Sequence, residues 1–113
     1  MISISTADHG SLKIVRISGE FFLGHVRQVE DVWNALVADS PETIAIDCGE
    51  MTFIDSSAIG TFVKFLNNSM TLGFKLVFFD LNDSIERIFS KAKLNKIFFV
   101  LSREDFERLY MKA

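Results

Sequence analysis

The sequence predicts a single α/β domain, a mixed but mostly parallel sheet of about five strands with an antiparallel hairpin at the N-terminus and about four helices. Three observations predict it. Segments of strand character alternate with segments of helical periodicity, which implies βα units joined by right-handed crossovers. Two strand segments are continuously apolar, as strands covered on both faces are. The 113 residues hold one proline and six glycines, with no repeat or low-complexity tract, so nothing reads as a linker and one domain spans residues 1–113.

Each element has its own signal. "ISIS" (Ile2 to Ser5) alternates with period two and reads as a half-buried or edge strand; "LKIVRIS" (Leu12 to Ser18) reads as a second. The turn-forming "ADHGS" between them makes the pair a hairpin. Val26, Val29, Trp33, Leu36 and Val37 fall at helical spacing, and "DSP" (Asp39 to Pro41) stops that helix. "TIAID" (Thr43 to Asp47) is a short strand. From Ser57 onward Ile59, Phe62, Val63, Leu66 and Met70 form one apolar stripe, with Gly73 as the stop. "KLVFFD" (Lys75 to Asp80) is a strand buried on both faces. Asp83 and Glu86 have capping-box spacing before a helix carrying Ile85, Ile88 and Phe89. "IFFVL" (Ile97 to Leu101) reads as another buried strand. Ser102 and Asp105 then open a last helix with Phe106, Leu109 and Tyr110 on one face.

Composition narrows the function. A net charge of −3 lacks the basic footprint of a nucleic-acid binder. The locally basic Arg87, Lys91, Lys93 and Lys96 read as a solvated helix face with a basic C-terminal turn. Although 49% of residues are hydrophobic, no apolar run approaches the roughly 18 residues that cross a bilayer. "MISISTADHG" lacks the basic and long apolar regions of a signal peptide. With Cys48 as the one cysteine there is no intramolecular disulfide, and a cytoplasmic protein without membrane association is expected. Twelve phenylalanines fit a phenylalanine-rich core and a homodimer equally.

The sequence carries neither a dinucleotide-binding nor a Walker-type glycine loop, and "DSSAIG" is not the nucleophile elbow of a serine hydrolase. His9, in the hairpin turn, and His25, opening the first helix, are the histidines available as a base, and with Cys48 they make a poor zinc set. A non-enzyme without cofactor or metal is expected. A phosphorylated receiver domain would use Asp47 as acceptor, but no acidic pair follows the first strand; Asp47 reads as a strand terminator.

The stretch "TFIDSSAIGTF" (Thr52 to Phe62) sets Asp55, Ser56 and Ser57 in a row at a helix start. A side chain there can accept a hydrogen bond from the first free N–H groups, but one cap requires one residue. A phosphate on such a hydroxyl would bring about −1.5 to −2 charges and three acceptor oxygens into a positive helix end that favours anions by roughly 0.3–1 kcal/mol. Cap and modification site are both open on these residues alone.

The block "TIAIDCGEMTFIDSSAIGTFVKFLNNSMTLGFKLVFFD", followed by "IERIFSKAKLNKIFFV", resembles the STAS domain of anti-sigma factor antagonists. The likeness runs from the "VRISGE" strand to the last helix. It implies a single STAS-type domain in which the second serine of D-S-S, here Ser57, is phosphorylated by a partner kinase that is itself the anti-sigma factor. Asp55 and Ser56 would shape the loop and, with Ser57 and Phe22, face the partner. The implied mechanism is partner switching: the unphosphorylated antagonist binds the kinase and frees a sigma factor, phosphorylation breaks that complex, and a phosphatase resets it. The nucleotide belongs to the kinase, so no cofactor is implied for this chain. The alternative is a non-catalytic STAS scaffold or accessory subunit of a signalling assembly or membrane transporter.

This chain departs from that pattern in places. "GEFF" puts Phe22 where the family often carries an aspartate, "AKL" puts Lys93 where it often has a glycine, and Ala58 replaces a glycine after the serines. Lys93 implies either a different backbone there or some strain. Of the apolar run Phe21, Phe22 and Leu23, Phe22 is expected to stand exposed near Ser57 as part of a docking patch, the other reading being that all of them pack under the first helix.

Overall fold

In the computed structural model, which describes residues 2–111, the hairpin of the N-terminus is formed by β1 (Ile2–His9) and β2 (Leu12–Phe21), paired antiparallel from Ile2↔Gly19 to His9↔Leu12. A turn of 3-10 helix (Leu23–His25) leads into α1 (Val26–Val37). Then come β3 (Thr43–Asp47), β4 (Met51–Ile54), α2 (Ser56–Leu72), β5 (Lys75–Phe79), α3 (Asp83–Lys91), β6 (Phe99–Leu101) and α4 (Arg103–Phe106), which continues as a π-helical turn, Glu107–Met111. The sheet runs β1-β2-β3-β5-β6, parallel from β2 onward. The α/β reading holds.

Strand alternation sorts the core into two layers. Val15, Ile17, Ile44, Ile46, Leu76 and Phe78 face α1, α2 and α3, with Val29, Trp33, Phe62, Phe65, Ile85 and Phe89 descending onto them. The intervening Leu12, Ala45, Val77 and Phe79 face the last helix, where Phe106 stacks on Phe79 at a centroid distance of 3.8 Å. Phe21, Phe62, Phe78, Phe89 and Phe98 form a chain of ring contacts through the larger layer. Trp33 stacks on Phe65 at 4.1 Å and donates from Nε1 to Asn68 Oδ1 at 2.8 Å, which fixes α1 on α2.

The structure corrects several expectations. Among the described residues there are six strands, one more than expected: the "MTFI" segment pairs in parallel with the upper part of β2, across a bulge at Gly19/Glu20, on the edge that β3 occupies lower down. "IFFVL" is not a buried strand: only Phe99–Leu101 pair, at the sheet edge, and Phe99 is 40% exposed. The apolar face of α2 is centred one residue before the predicted stripe, so Thr61, Phe65 and Ser69 are buried while Met70 is 70% exposed. Thr61 and Ser69 satisfy their hydroxyls on the carbonyls of Ser57 and Leu66. Asp83 is not a cap: Asn82 accepts from Ile85 N at 3.1 Å and also donates to the Met51 carbonyl at 2.6 Å, tying α3 to β4. On the last helix Phe106 is buried but Leu109 is 55% exposed, because the π-helical turn rotates it off the face that Phe106 sets.

Candidate functional site: the N-terminal end of the second helix

The β4–α2 junction answers which of its three polar residues caps the helix. Asp55, in extended conformation at φ −93°, is the N-cap, and its Oδ1 accepts from Ala58 N at 2.9 Å. Its other oxygen, Oδ2, accepts from Leu23 N at 3.0 Å, so one carboxylate joins the α2 start to the turn before α1. Capping therefore occupies Asp55 alone. Ser56 is exposed and Ser57 half-buried in the first helical turn. The Ser57 carbonyl accepts from Thr61, while among the described residues its hydroxyl makes no hydrogen bond. Ala58 is fully buried, which seats the turn on the core and leaves the serines on the rim.

Phe21, Phe22 and Leu23 divide as their geometry dictates. Phe21 is completely buried, whereas Phe22 is 36% and Leu23 68% exposed. Phe22 leans on Phe53 of β4 at a centroid distance of 5.5 Å and on His25 at 6.2 Å, and its N–H donates to His25 Nδ1 at 3.2 Å. Through the Leu23–Asp55 bond this aromatic ledge is attached to the cap of the helix bearing Ser57. Sequence reasoning missed Phe53, itself 42% exposed, because the strand carrying it was not recognised. An exposed acid, Glu20 of β2, adjoins the ledge as the strand partner of Phe53.

Other candidates fall away from this end. Asp47 is not an accessible acceptor: its side chain is 4% exposed, and Arg103 Nη2 lies 2.7 Å from each of its oxygens. Burial alone would raise its pKa, but Arg103, the Gly49 N–H and Arg16 together hold it below the ordinary carboxylate value. The Cys48 thiol is fully buried, and burial, with Asp47 and Asp80 nearby, pushes its pKa far above the usual thiol range, so it is no nucleophile. His9 closes β1 at the far end of the hairpin. A cavity of about 250 Å3 lies under the last helix, lined by Ile14, Arg16, Phe79 and Arg103 among others, on the sheet face opposite α2. Among the described residues no group of His, Cys, Asp or Glu is arranged to hold a metal ion. Among them also, no helix is long and apolar enough to cross a membrane.

The family model of the STAS domain matches residues 3–109. The chain belongs to the STAS-domain family. Solved structures with the same fold include an anti-sigma factor antagonist from Mycobacterium paratuberculosis, 23% identical, with a TM-score of 0.81 over 99% of this chain and 96% of that one. The anti-sigma factor antagonist SpoIIAA in its unphosphorylated form is 15% identical, with a TM-score of 0.78 over 98% of this chain and 99% of that one. A sulfate transporter family protein from Wolinella succinogenes is 16% identical, with a TM-score of 0.72 over 80% and 76% of the two chains. At these identities the likeness is one of fold. Within the STAS domain described here, Asp55, Ser56, Ser57 and Phe22 lie together at one end of the molecule. Lys93 takes the left-handed backbone that a glycine would favour, at φ 60°.

Proposed function

We propose that this STAS domain is an anti-sigma factor antagonist of the partner-switching kind, with Ser57 as its phosphorylation site. The observation that carries the reading is the division of labour at the α2 end: Asp55 supplies the cap, leaving the Ser57 hydroxyl without a hydrogen-bond partner among the described residues. In this reading a cytoplasmic anti-sigma factor kinase docks on the Phe22–Phe53 ledge and the first turn of α2. It phosphorylates Ser57, and a phosphatase restores the serine.

The electrostatics give the switch its direction. A phosphate on Ser57 sits in the favourable field of the helix end, so the fold tolerates it. The same charge, beside Asp55 and near the strand pair that carries Glu20, makes the rim costly to dehydrate and repels an acidic partner surface. Neither effect needs a backbone change. Phosphorylation is therefore expected to move amide resonances of the first α2 turn and the Phe22 turn, and to leave the sheet in place.

The test is capture from host lysate with wild type, Ser57→Ala and Ser57→Asp as baits, followed by mapping of the phosphosite after incubation with ATP. An ATP-binding kinase held by wild type and Ser57→Ala but lost from Ser57→Asp, with phosphate on Ser57, supports the reading. Capture of the same scaffold or transporter proteins by all three overturns it in favour of the accessory-subunit role, which the fold shared with the sulfate transporter family protein makes the principal alternative.

A further inference from the structure

A second exposed apolar surface lies at the opposite end of α2. Met70, Ile97 and Phe99, at 70%, 51% and 40% exposure, line a shallow groove of about 450 Å3 between the C-terminal end of α2 and the sheet edge, floored by Leu66, Phe74 and Leu76. Lys91 ends α3, and the turn from there to β6 carries Lys93 and Lys96, all exposed; Lys75, on the groove's lining, holds its Nζ 4.9 Å above the Phe99 ring. Among the described residues, no ion pair uses any of these four lysines. Against a chain of net charge −3, this end is basic, with Glu42 as the acid on the groove's lining.

Lys93 adds an independent observation. Its backbone is left-handed, φ 60° and ψ 26°, where a side chain is strained and glycine is not. Its side chain caps nothing and pairs with nothing among the described residues. The fold takes from this position nothing that glycine would not supply with less strain, so the positive charge itself is what the position offers. Strain of this kind is kept where function uses it.

We propose that this groove docks an acidic amphipathic helix of a partner protein, the apolar face on Met70, Ile97 and Phe99 and the acids on the lysine rim. A helix fits better than an added strand, because β6 presents only three residues of free edge. The proposal does not rest on the phosphorylation of Ser57. The 17 residues of α2 put about 25 Å between the two ends, well beyond a Debye length of about 8 Å, so a partner held here stays bound whatever the state of the serine.

The test uses the full chain and a synthetic fluorescent peptide of about five helical turns, leucine on one face and glutamate on the other, with a lysine-for-glutamate peptide as control. Anisotropy should show binding of the acidic peptide only, weakening with salt. The triple variant Lys91→Gln, Lys93→Gly, Lys96→Gln should lower its affinity about tenfold, and Met70→Ser should lower it as well. Ser57→Asp should change nothing, which separates this surface from the proposed switch. In NMR titration the shifts should fall on Met70, Lys75 and residues 93–99. Equal binding of both peptides, or shifts centred on Phe22 and Ser57, overturns the proposal. Binding of phosphatidylglycerol vesicles, lost in the triple variant, without binding of the acidic peptide overturns it in favour of a lipid surface.

Discussion

Removing Arg103 tests how the last helix is held to the sheet. Arg103 Nη2 reaches both oxygens of Asp47 at 2.7 Å, and its Nε reaches Asp80 Oδ2 at 2.8 Å. Arg103→Met keeps an apolar stem over Phe79 but leaves Asp47 with Arg16 Nε at 3.2 Å and the Gly49 N–H at 3.0 Å. Stripping one partner from a fully buried pair costs about 3–5 kcal/mol. Here the Arg103 side chain is 37% exposed and Arg16 remains, so solvent screening reduces the expected loss to about 2–3 kcal/mol. For a domain of this size that is a fall in Tm of about 10 °C. Urea melts at neutral pH measure it. Because the Asp47 pKa is depressed on folding, its contribution is present above the unfolded carboxylate value and is lost as pH falls through the lower folded value. The gap between wild type and Arg103→Met should therefore hold from pH 7 to about pH 5 and narrow as pH falls below about 4. Adding Asp47→Asn to Arg103→Met removes the stranded charge and should recover about 1 kcal/mol. A loss below about 0.5 kcal/mol at pH 7, within the range of ordinary surface changes, or a double variant less stable than the single one, would refute the reasoning.

The junction separates its residues in the same kind of experiment. Asp55→Ala loses the cap and the latch to Leu23 and should cost about 1–2 kcal/mol, whereas Ser57→Ala should stay within about 0.5 kcal/mol of wild type in the same denaturant melts. Phe22→Asp should leave Tm within a few degrees but weaken kinase binding about tenfold or more in calorimetric titration; a collapse of Tm would instead make Phe22 a core residue. Lys93→Gly should raise stability by about 0.5–1 kcal/mol by relieving the left-handed strain, and a destabilised variant would mean that the lysine stem packs.

Much of the architecture was legible because its signals are local. The alternation of the hairpin, the apolar "KLVFF" and the stop at Gly73 each follow from the chemistry of a few neighbouring residues. What sequence reading missed depends on distant partners. β4 has Thr52 and Phe53 exposed between buried Met51 and Ile54, a pattern that resembles no strand until β2 is beside it. The face of α2 was misjudged because Thr61 and Ser69 look polar yet bury hydroxyls satisfied within the helix. Asn82 hides its capping role in the same way, since Asp83 carries the more familiar spacing. At the site, the D-S-S run was visible at once, but the second bond of Asp55 was not, since the Leu23 N–H that it accepts lies 32 residues away in the chain. The Asp47–Arg103 pair, separated by 56 residues, left no trace that spacing could reveal.

The placement of β2 has a consequence for how the molecule comes apart. Along one edge β2 holds β1 for its length; along the other it holds β3 below and β4 above. Peeling away any one neighbour leaves β2 secured by the rest, whereas losing β2 would free β1 and β4 and leave β3 held by β5 alone. It behaves as the spine of a binding to which separate leaves are sewn. Its inner amides, from Ile14 to Ile17, are expected to exchange with solvent only by global unfolding. The rim at Ser57 and the groove at Met70 lie at opposite ends of one helix, packed on a sheet whose spine is the last part to open.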